Sequence, residues 1–170
     1  MKYVGYGLLM ILGLALQTSG SPGLMLFGFK PELMLLLTLL FAMLQNRDGG
    51  PMFGFFSGLL QDLLIGHFIG LHAGTFMLTA ILVGFVTRRF YKENFLVRFF
   101  AVFGGTVVGQ VLYLLGAASF GVSSSWSLGT WSTILATSVL NGLIGMILFR
   151  PLASLNKRLV YLDELLKRTG

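Results

Sequence analysis

The stretch Gly54–Gly74, GFFSGLLQDLLIGHFIGLHAG, combines a four-residue glycine repeat with a single acidic residue. Four residues turn an α-helix by about 400°, so successive members of the repeat share one helix face. Small residues at this spacing let a second helix approach closely, which promotes helix association in lipid. The repeat therefore predicts tightly packed helices, and its positions are Gly50, Gly54, Gly58, Asp62, Gly66, Gly70 and Gly74.

The chain around this stretch has the composition of a helical membrane protein. Of its 170 residues, 55% are hydrophobic and 11% are charged, whereas soluble domains carry about 25% charged residues. Most apolar runs come close to the ~20 residues that cross a bilayer as a helix, and they lack the alternation of membrane β-strands. The chain has no cysteine, which excludes a lipid-modified cysteine, thiolate metal sites and disulfides. We therefore expect an all-α integral membrane protein.

Glycine, proline and charged residues divide the apolar sequence into six expected spans. Pro31 and Pro51 suit the first turn of a helix, where the missing N–H would be unpaired anyway. Two alternatives stay open at the start of the chain: a cleaved signal peptide, although no small-residue cleavage site follows, and a tilted or re-entrant segment at 18–29. The expected spans are 4–17, 31–45, 51–66, 71–87, 96–118 and 131–149.

The basic residues predict the orientation of this six-helix bundle. Six spans place eleven of the 12 basic residues on the side that carries both chain ends, and only Lys30 on the other side. Since Lys and Arg accumulate in cytoplasmic loops, both termini are expected in the cytoplasm. The net charge of +6 thus arises from basic residues at the ends of the apolar runs, as membrane topology requires. No nucleic acid partner is therefore expected.

Asp62 is the one acidic residue expected deep inside a span. It follows Pro51 by eleven residues, or about 16 Å along a helix, which suggests a position near or just beyond the bilayer middle. An ionised Asp there costs about 2.5–3.5 kcal/mol, so we expect protonation or hydrogen bonds from polar side chains or helix-end amides. Its role stays open between helix packing, a ligand or proton site, and a partner contact. Four polar residues are expected to point inward, namely Gln61, Asp62, Gln110 and Asn141.

Catalysis and metal binding are not expected. His67 and His72 are five residues apart, which takes them off a shared helix face, and no third ligand lies nearby. The sequence shows no nucleophile triad, no paired catalytic carboxylates and no phosphate-binding loop. The short outer loops also leave little room for an enzymatic domain, so neither an activity nor a cofactor is predicted.

The last 20 residues predict a separate amphipathic helix. Pro151 is expected to separate it from the sixth span, which divides the chain into a transmembrane domain at 1–150 and a cytoplasmic helix at 151–170. Its basic residues suit either anionic lipid at the inner membrane surface or a cytoplasmic partner. Its apolar stripe consists of Leu152, Leu155, Leu159, Leu162 and Leu166.

Four short motifs between Pro31 and Val111 resemble one protein family. They are Pro31-Glu32-Leu33, Gly54-Phe55-x-x-Gly58-Leu59-Leu60-x-Asp62-Leu63-Leu64, Gly70-Leu71-x-Ala73 and Val83-Gly84-Phe85. Together they resemble the MreD family of bacterial rod shape-determining membrane proteins. Glu32 stands where that family more often has Asp, but the carboxylate is retained.

The resemblance implies a non-enzymatic scaffold in the cell-wall elongation machinery of the bacterial inner membrane. The family is understood to bind MreC, a single-span protein with a large periplasmic part. Through MreC it is linked to RodA, to a class B penicillin-binding transpeptidase and to MreB, and so to peptidoglycan synthesis and cell shape. It also implies a fold similar to the S-components of energy-coupling factor transporters, with a central outward-facing pocket. The alternative is therefore a small-molecule-binding subunit of a vitamin-type uptake transporter; a pore or proton-linked transporter is a third interpretation.

The resulting hypothesis makes the third span part of a groove that receives neighbouring spans or the helix of MreC. Asp62 would then set the register by hydrogen bonding. On this hypothesis Asp62→Asn is tolerated if the carboxyl group is protonated, and Asp62→Leu weakens the assembly. The candidate structural or partner-binding residues are Gly54, Gly58, Gln61, Asp62, Gly66, Gly70, Glu32, Gly105 and Gly109.

Overall fold

A computed structural model describes residues 2–18, 28–45, 48–65, 68–89, 94–121 and 127–169. These residues form six helices: α1 (Lys2–Thr18), α2 (Leu33–Leu44), α3 (Gly49–Ile65), α4 (Leu71–Arg88), α5 (Phe95–Ser119) and α6 (Leu128–Thr169). Three of them, α4, α5 and α6, are long and apolar enough to cross a membrane. The all-helical class is confirmed. Six complete spans stay a prediction, because the 12 residues of α2 extend only about 18 Å against a hydrocarbon core of about 30 Å.

The short helix α2 forms the core of the bundle. All its residues from Met34 to Met43 are buried, and it contacts each of the other five helices. A helix that is apolar on every side has no face suited to water and packs inside other elements. Near its end Phe41 stacks on Phe53 of α3 at 4.2 Å between ring centroids, while Tyr6 of α1 meets Phe41 edge-on at 5.1 Å.

The helices α3 and α4 form an antiparallel hairpin. Gly54 lies against Phe76, and Gly58 lies against His72, so the contact runs in opposite directions along the two helices. We call the end of the bundle where α3 ends and α4 begins the turn end. At the opposite end, called the terminal end, Asn156 of α6 accepts hydrogen bonds from the Tyr6 hydroxyl at 2.7 Å and the Gln45 amide at 3.1 Å.

Helix α6 continues through Pro151 to Thr169 without interruption. The prediction that Pro151 separates two helices is therefore wrong. Proline removes one helical N–H and crowds the preceding turn, yet the turns after Pro151 stay helical, and Asn156 in these turns accepts from Tyr6 of α1 and from Gln45 directly after α2. The division into domains at 1–150 and 151–170 stays a prediction, as does the choice between lipid and a partner for the outer face of the tail.

Candidate functional site

Asp62 of α3 accepts four hydrogen bonds from the first turn of α4. Its Oδ2 accepts from the backbone N–H groups of Gly70 at 2.8 Å and Ala73 at 3.1 Å. Its Oδ1 accepts from the backbone N–H of His72 at 3.1 Å and from the His72 ring Nδ1 at 2.6 Å. The first N–H groups of a helix have no acceptor within the helix and carry partial positive charge. Asp62 is therefore the N-terminal cap of α4, supplied by the preceding helix.

This arrangement corrects the expected depth of Asp62. Helix α3 ends at Ile65, so Asp62 lies about 5 Å from its end and level with the start of the 18-residue helix α4. Its position is near the turn end of the bundle rather than the middle of a span. Among the partners that the sequence left open, the helix-end amides are the ones found, and the side chain of Asp62 is buried.

Gly54 and Gly58 give α4 its close approach to α3. A Cβ atom on Gly54 would lie 2.8 Å from the carbonyl oxygen of Phe76, and one on Gly58 would lie 2.6 Å from the Cα of Ala73. Both neighbours are backbone atoms, so no change of rotamer makes room for a side chain. Asp62 is the next position of the repeat and bonds to the same turn of α4, so the repeat and the cap act on one interface.

The shared helix face ends with α3. Gly66 lies outside the described residues. Gly70 precedes α4 with φ of +102°, a left-handed conformation that favours glycine, while its N–H donates to Asp62. Gly74 has no atom within 4 Å of the position that a Cβ would take. The prediction of one continuous face from Gly50 to Gly74 is therefore wrong at Gly70 and Gly74, because α3 ends at Ile65 and α4 runs back along it.

Glu32, directly before α2, forms a second polar site with three other helices. The Asn141 side chain accepts from the Glu32 N–H at 3.1 Å and donates to the Glu32 carbonyl at 3.3 Å. Gln110 donates to the Glu32 carboxylate at 3.2 Å, and Gln17 accepts from the Met34 N–H at 2.9 Å. Residues of α1, α5 and α6 thus hold the start of α2. The inward position predicted for Gln61, Asp62 and Asn141 is confirmed, since all three are buried.

The glycine pair of α5 admits side chains of α2. A Cβ atom on Gly105 would lie 2.7 Å from Leu39, and one on Gly109 would lie 2.9 Å from Leu35. The two glycines therefore pack α5 against the core helix, which is an intramolecular contact of the kind that the sequence suggested for Gly54 and Gly58.

A cavity of about 430 Å³ lies between the two polar sites. The His72 and Tyr113 rings lie 4.3 Å apart in its wall. Its polar lining consists of Glu32, His72, Gln110, Tyr113, Thr130 and Thr133. Asp62 contributes indirectly by bonding to His72. Within the described part of the chain, no group of three or more metal-binding side chains is present.

Gln17 and Tyr113 were missed by the sequence analysis. A signal for Gln17 did exist, because the helix that starts after Pro31 has no Ser, Thr, Asp or Asn at its beginning and needs an acceptor from elsewhere. Nothing in the spacing of Tyr113 indicates that it meets His72 at the cavity. That contact depends on how α4 and α5 pack.

Replacing Asn141 with alanine is expected to lower the free energy of unfolding by about 2–3 kcal/mol. The change leaves the Glu32 N–H without its acceptor, which typically costs about 1–3 kcal/mol, and removes the bonds that Asn141 donates to the Glu32 carbonyl and to Thr106. The carbonyl keeps the Leu36 N–H as a donor. Thermal unfolding of the purified protein in one detergent measures the effect. Val139→Ala on the same helix is the control because its side chain is 41% exposed. Equal stability of the two variants would contradict the prediction.

Comparison with known families places these features in one context. A family model described as rod shape-determining protein MreD matches residues 1–159. No curated protein and no solved structure matches the chain, so the similarity to transporter S-components stays a prediction. The match covers α1 to α5 and most of α6, well beyond the motifs between Pro31 and Val111. This chain therefore belongs to the MreD family of rod shape-determining membrane proteins.

Proposed function

We propose that this chain is a non-enzymatic scaffold subunit of the cell-wall elongation machinery in the bacterial inner membrane. It binds MreC and, through that complex, RodA, a class B penicillin-binding transpeptidase and MreB, and it maintains rod shape by regulating peptidoglycan synthesis. Membership of the MreD family carries the proposal. The described residues support it, because nearly all of them belong to one set of packed helices whose outer faces are apolar.

The partner helix is proposed to lie on the face of α3 that points away from α4. Since Gly54 and Gly58 are covered by α4, they are not available to another protein. The opposite face of α3 lines an apolar groove of about 660 Å³ between α1 and α3. The groove follows α3 for about 21 Å, most of the length of a membrane span, and its α3 wall includes Met52, Phe56, Leu59 and Leu63.

The charge at one end of this groove fits a single-span partner. Asp48, an exposed residue, lies at the terminal end of the groove, beside the first turn of α3. This end is the predicted cytoplasmic side, where membrane spans are commonly followed by Lys or Arg. A basic residue at the cytoplasmic end of the MreC helix would therefore meet a carboxylate.

Gly7→Leu is expected to reduce recovery of MreC at least about tenfold while leaving the fold intact. Gly7 lines the α1 wall of the groove and has no atom within 4 Å of its Cβ position, so leucine enters the groove without clashing with the bundle. A loss of only about 1.4 kcal/mol in binding free energy raises the dissociation constant tenfold. Copurification of MreC with the tagged protein from native membranes in mild detergent measures the change.

Gly104→Leu is the matched control for this experiment. Gly104 also has open space at its Cβ position, but it lines a separate apolar cleft between α4 and α5. Recovery of MreC by wild type and Gly104→Leu, but not by Gly7→Leu, supports the groove. Full recovery by all three proteins would refute the groove as the binding surface, and no recovery by wild type would refute MreC binding itself.

A second candidate function is a small-molecule-binding subunit of a vitamin-type uptake transporter. The cavity beside Glu32 and His72 favours it, since its 430 Å³ lies in the size range of small-molecule pockets. Mass spectrometry of everything retained with the wild-type protein separates the two candidates. Recovery of ATPase subunits instead of MreC would establish the transporter.

A further inference from the structure

The carboxylate of Glu32 is not needed to begin α2. Glu32 occupies the N-cap position, yet among the described residues its side chain makes no cap hydrogen bond. Gln17 accepts from the Met34 N–H in its place, and Asn141 satisfies both backbone groups of Glu32. The carboxylate is therefore free of any capping role and lines the cavity instead.

This carboxylate accepts a hydrogen bond from a neutral amide, and the imidazole of the cavity lining, His72, is itself bonded to Asp62. Gln110 donates this hydrogen bond at 3.2 Å. Gln61 is 4% exposed, and its Oε1 has no hydrogen-bond partner in the described structure. Among the described residues that line the cavity, none is Lys or Arg. The neighbouring carboxylate of Asp62 differs, since four donors at the start of α4 stabilise it.

The position of Glu32 makes an unbalanced charge costly. Asn141, which holds its backbone, lies 13 residues into α6, or about 20 Å from the start of that helix. An ionised carboxylate that is shielded from water without a paired charge is costly, and such a group is a candidate for a functional site. A positively charged ligand in the cavity would offset this cost.

The remaining walls suit a cation that carries an apolar body. Tyr113 and Phe76 bring aromatic rings to the cavity, and aromatic faces attract cations within about 6 Å. Ile65, Leu114 and Ile134 add aliphatic surface. We propose that this cavity binds a primary ammonium group on an apolar body, with the Glu32 carboxylate as its counter-ion.

A matched series of three probes tests the charge preference in the wild-type protein. The probes are 2-phenylethylamine, 2-phenylethanol and phenylacetate, which share a ring and differ in charge. Saturation-transfer NMR on the protein in nanodiscs measures binding. We expect saturable binding of the amine, at least tenfold weaker binding of the alcohol and none of the acid. Equal binding of amine and alcohol would overturn the proposal without any variant being needed.

Glu32→Gln then assigns the preference to one residue. We expect this variant to bind the amine at least tenfold more weakly, while Glu164→Gln, the same change at an exposed residue of α6, binds it as wild type does. Unchanged amine binding by a folded Glu32→Gln protein would overturn the assignment. If that variant does not fold, Tyr113→Leu tests the same cavity from α5, and unchanged binding by it would count against the proposal equally.

The ammonium group has two possible sources, a free small molecule or a lysine side chain of a partner protein. A copurifying amine, identified by mass spectrometry after denaturation, would indicate the first source. An amide bond between Glu32 and a partner lysine, formed in native membranes with the apolar reagent dicyclohexylcarbodiimide, would indicate the second. Both results support the proposal. They do not depend on MreC binding, which the copurification experiment tests separately.

Discussion

Asp62→Asn is expected to destabilise this protein by about 2–4 kcal/mol, although asparagine has nearly the same shape as aspartate. Each carboxylate oxygen of Asp62 accepts two hydrogen bonds, from three backbone N–H groups and the His72 ring. Asparagine replaces one oxygen with an NH₂ group, which then faces at least one backbone N–H donor, and the remaining bonds lose the strength that a charged acceptor gives them. Leaving a buried donor unpaired typically costs about 1–3 kcal/mol. Asp62→Leu removes all four bonds and is expected to cost more.

Thermal unfolding and amide hydrogen exchange together measure this effect. The melting temperature reports the loss of stability, and faster exchange at Gly70 and Ala73 would locate it at the start of α4. Asp48→Asn is the control, because it makes the same chemical change at an exposed residue of the terminal end. If Asp62→Asn melts and exchanges like wild type, the carboxylate does not cap α4. That result would instead support the hypothesis, drawn from the sequence, that the Asp62 carboxyl group is protonated.

Gly58→Ala is expected to lower the free energy of unfolding by about 1–2 kcal/mol. The added methyl group would meet the His72 carbonyl group and would lie 2.6 Å from the Cα of Ala73, so α3 and α4 must separate. Forcing extra atoms into a packed interface typically costs about 1–3 kcal/mol. This cost exceeds the gain of about 1 kcal/mol that alanine brings to a helix interior.

Gly74→Ala is the matched control in the same hairpin. Its Cβ position is open, so the gain in helix propensity is expected to raise stability by up to about 1 kcal/mol. The two substitutions therefore have opposite expected signs in the same thermal unfolding measurement. A Gly58→Ala protein that is as stable as Gly74→Ala would show that α3 and α4 are not in backbone contact.

Variants at the contact between α3 and α4 and a variant in the open groove together distinguish an effect on folding from an effect on partner binding. Asp62→Asn and Gly58→Ala act on the contact between α3 and α4, so they are expected to reduce MreC recovery only as far as they reduce the folded fraction. Gly7→Leu changes a groove that the bundle leaves open, so it is expected to reduce recovery at unchanged melting temperature. This comparison rests on the proposed function, whereas the stability effects do not.

Much of the architecture follows from local sequence patterns. The apolar runs predict the helical class, and the expected third, fourth and fifth spans lie within two residues of α3, α4 and α5. The spacing of Gly54, Gly58 and Asp62 predicts a closely packed helix face, because helical periodicity places these residues on one side. Polar residues within apolar runs predict inward positions, since lipid offers them no hydrogen-bond partner.

The partners of these residues are decided by the tertiary structure. Helical periodicity places Gly58 on a helix face of small residues, but it does not show that α4 covers this face. It also does not show that Asp62 caps α4. Glu32 and Asn141 are 109 positions apart, so no local pattern connects them. Pro151 predicts a break in isolation, yet α6 continues through it, and Asn156 in the following turns makes long-range contacts. The local sequence determines which kinds of neighbour can pack on each helix face. Only the packing of all the helices determines which neighbour lies there.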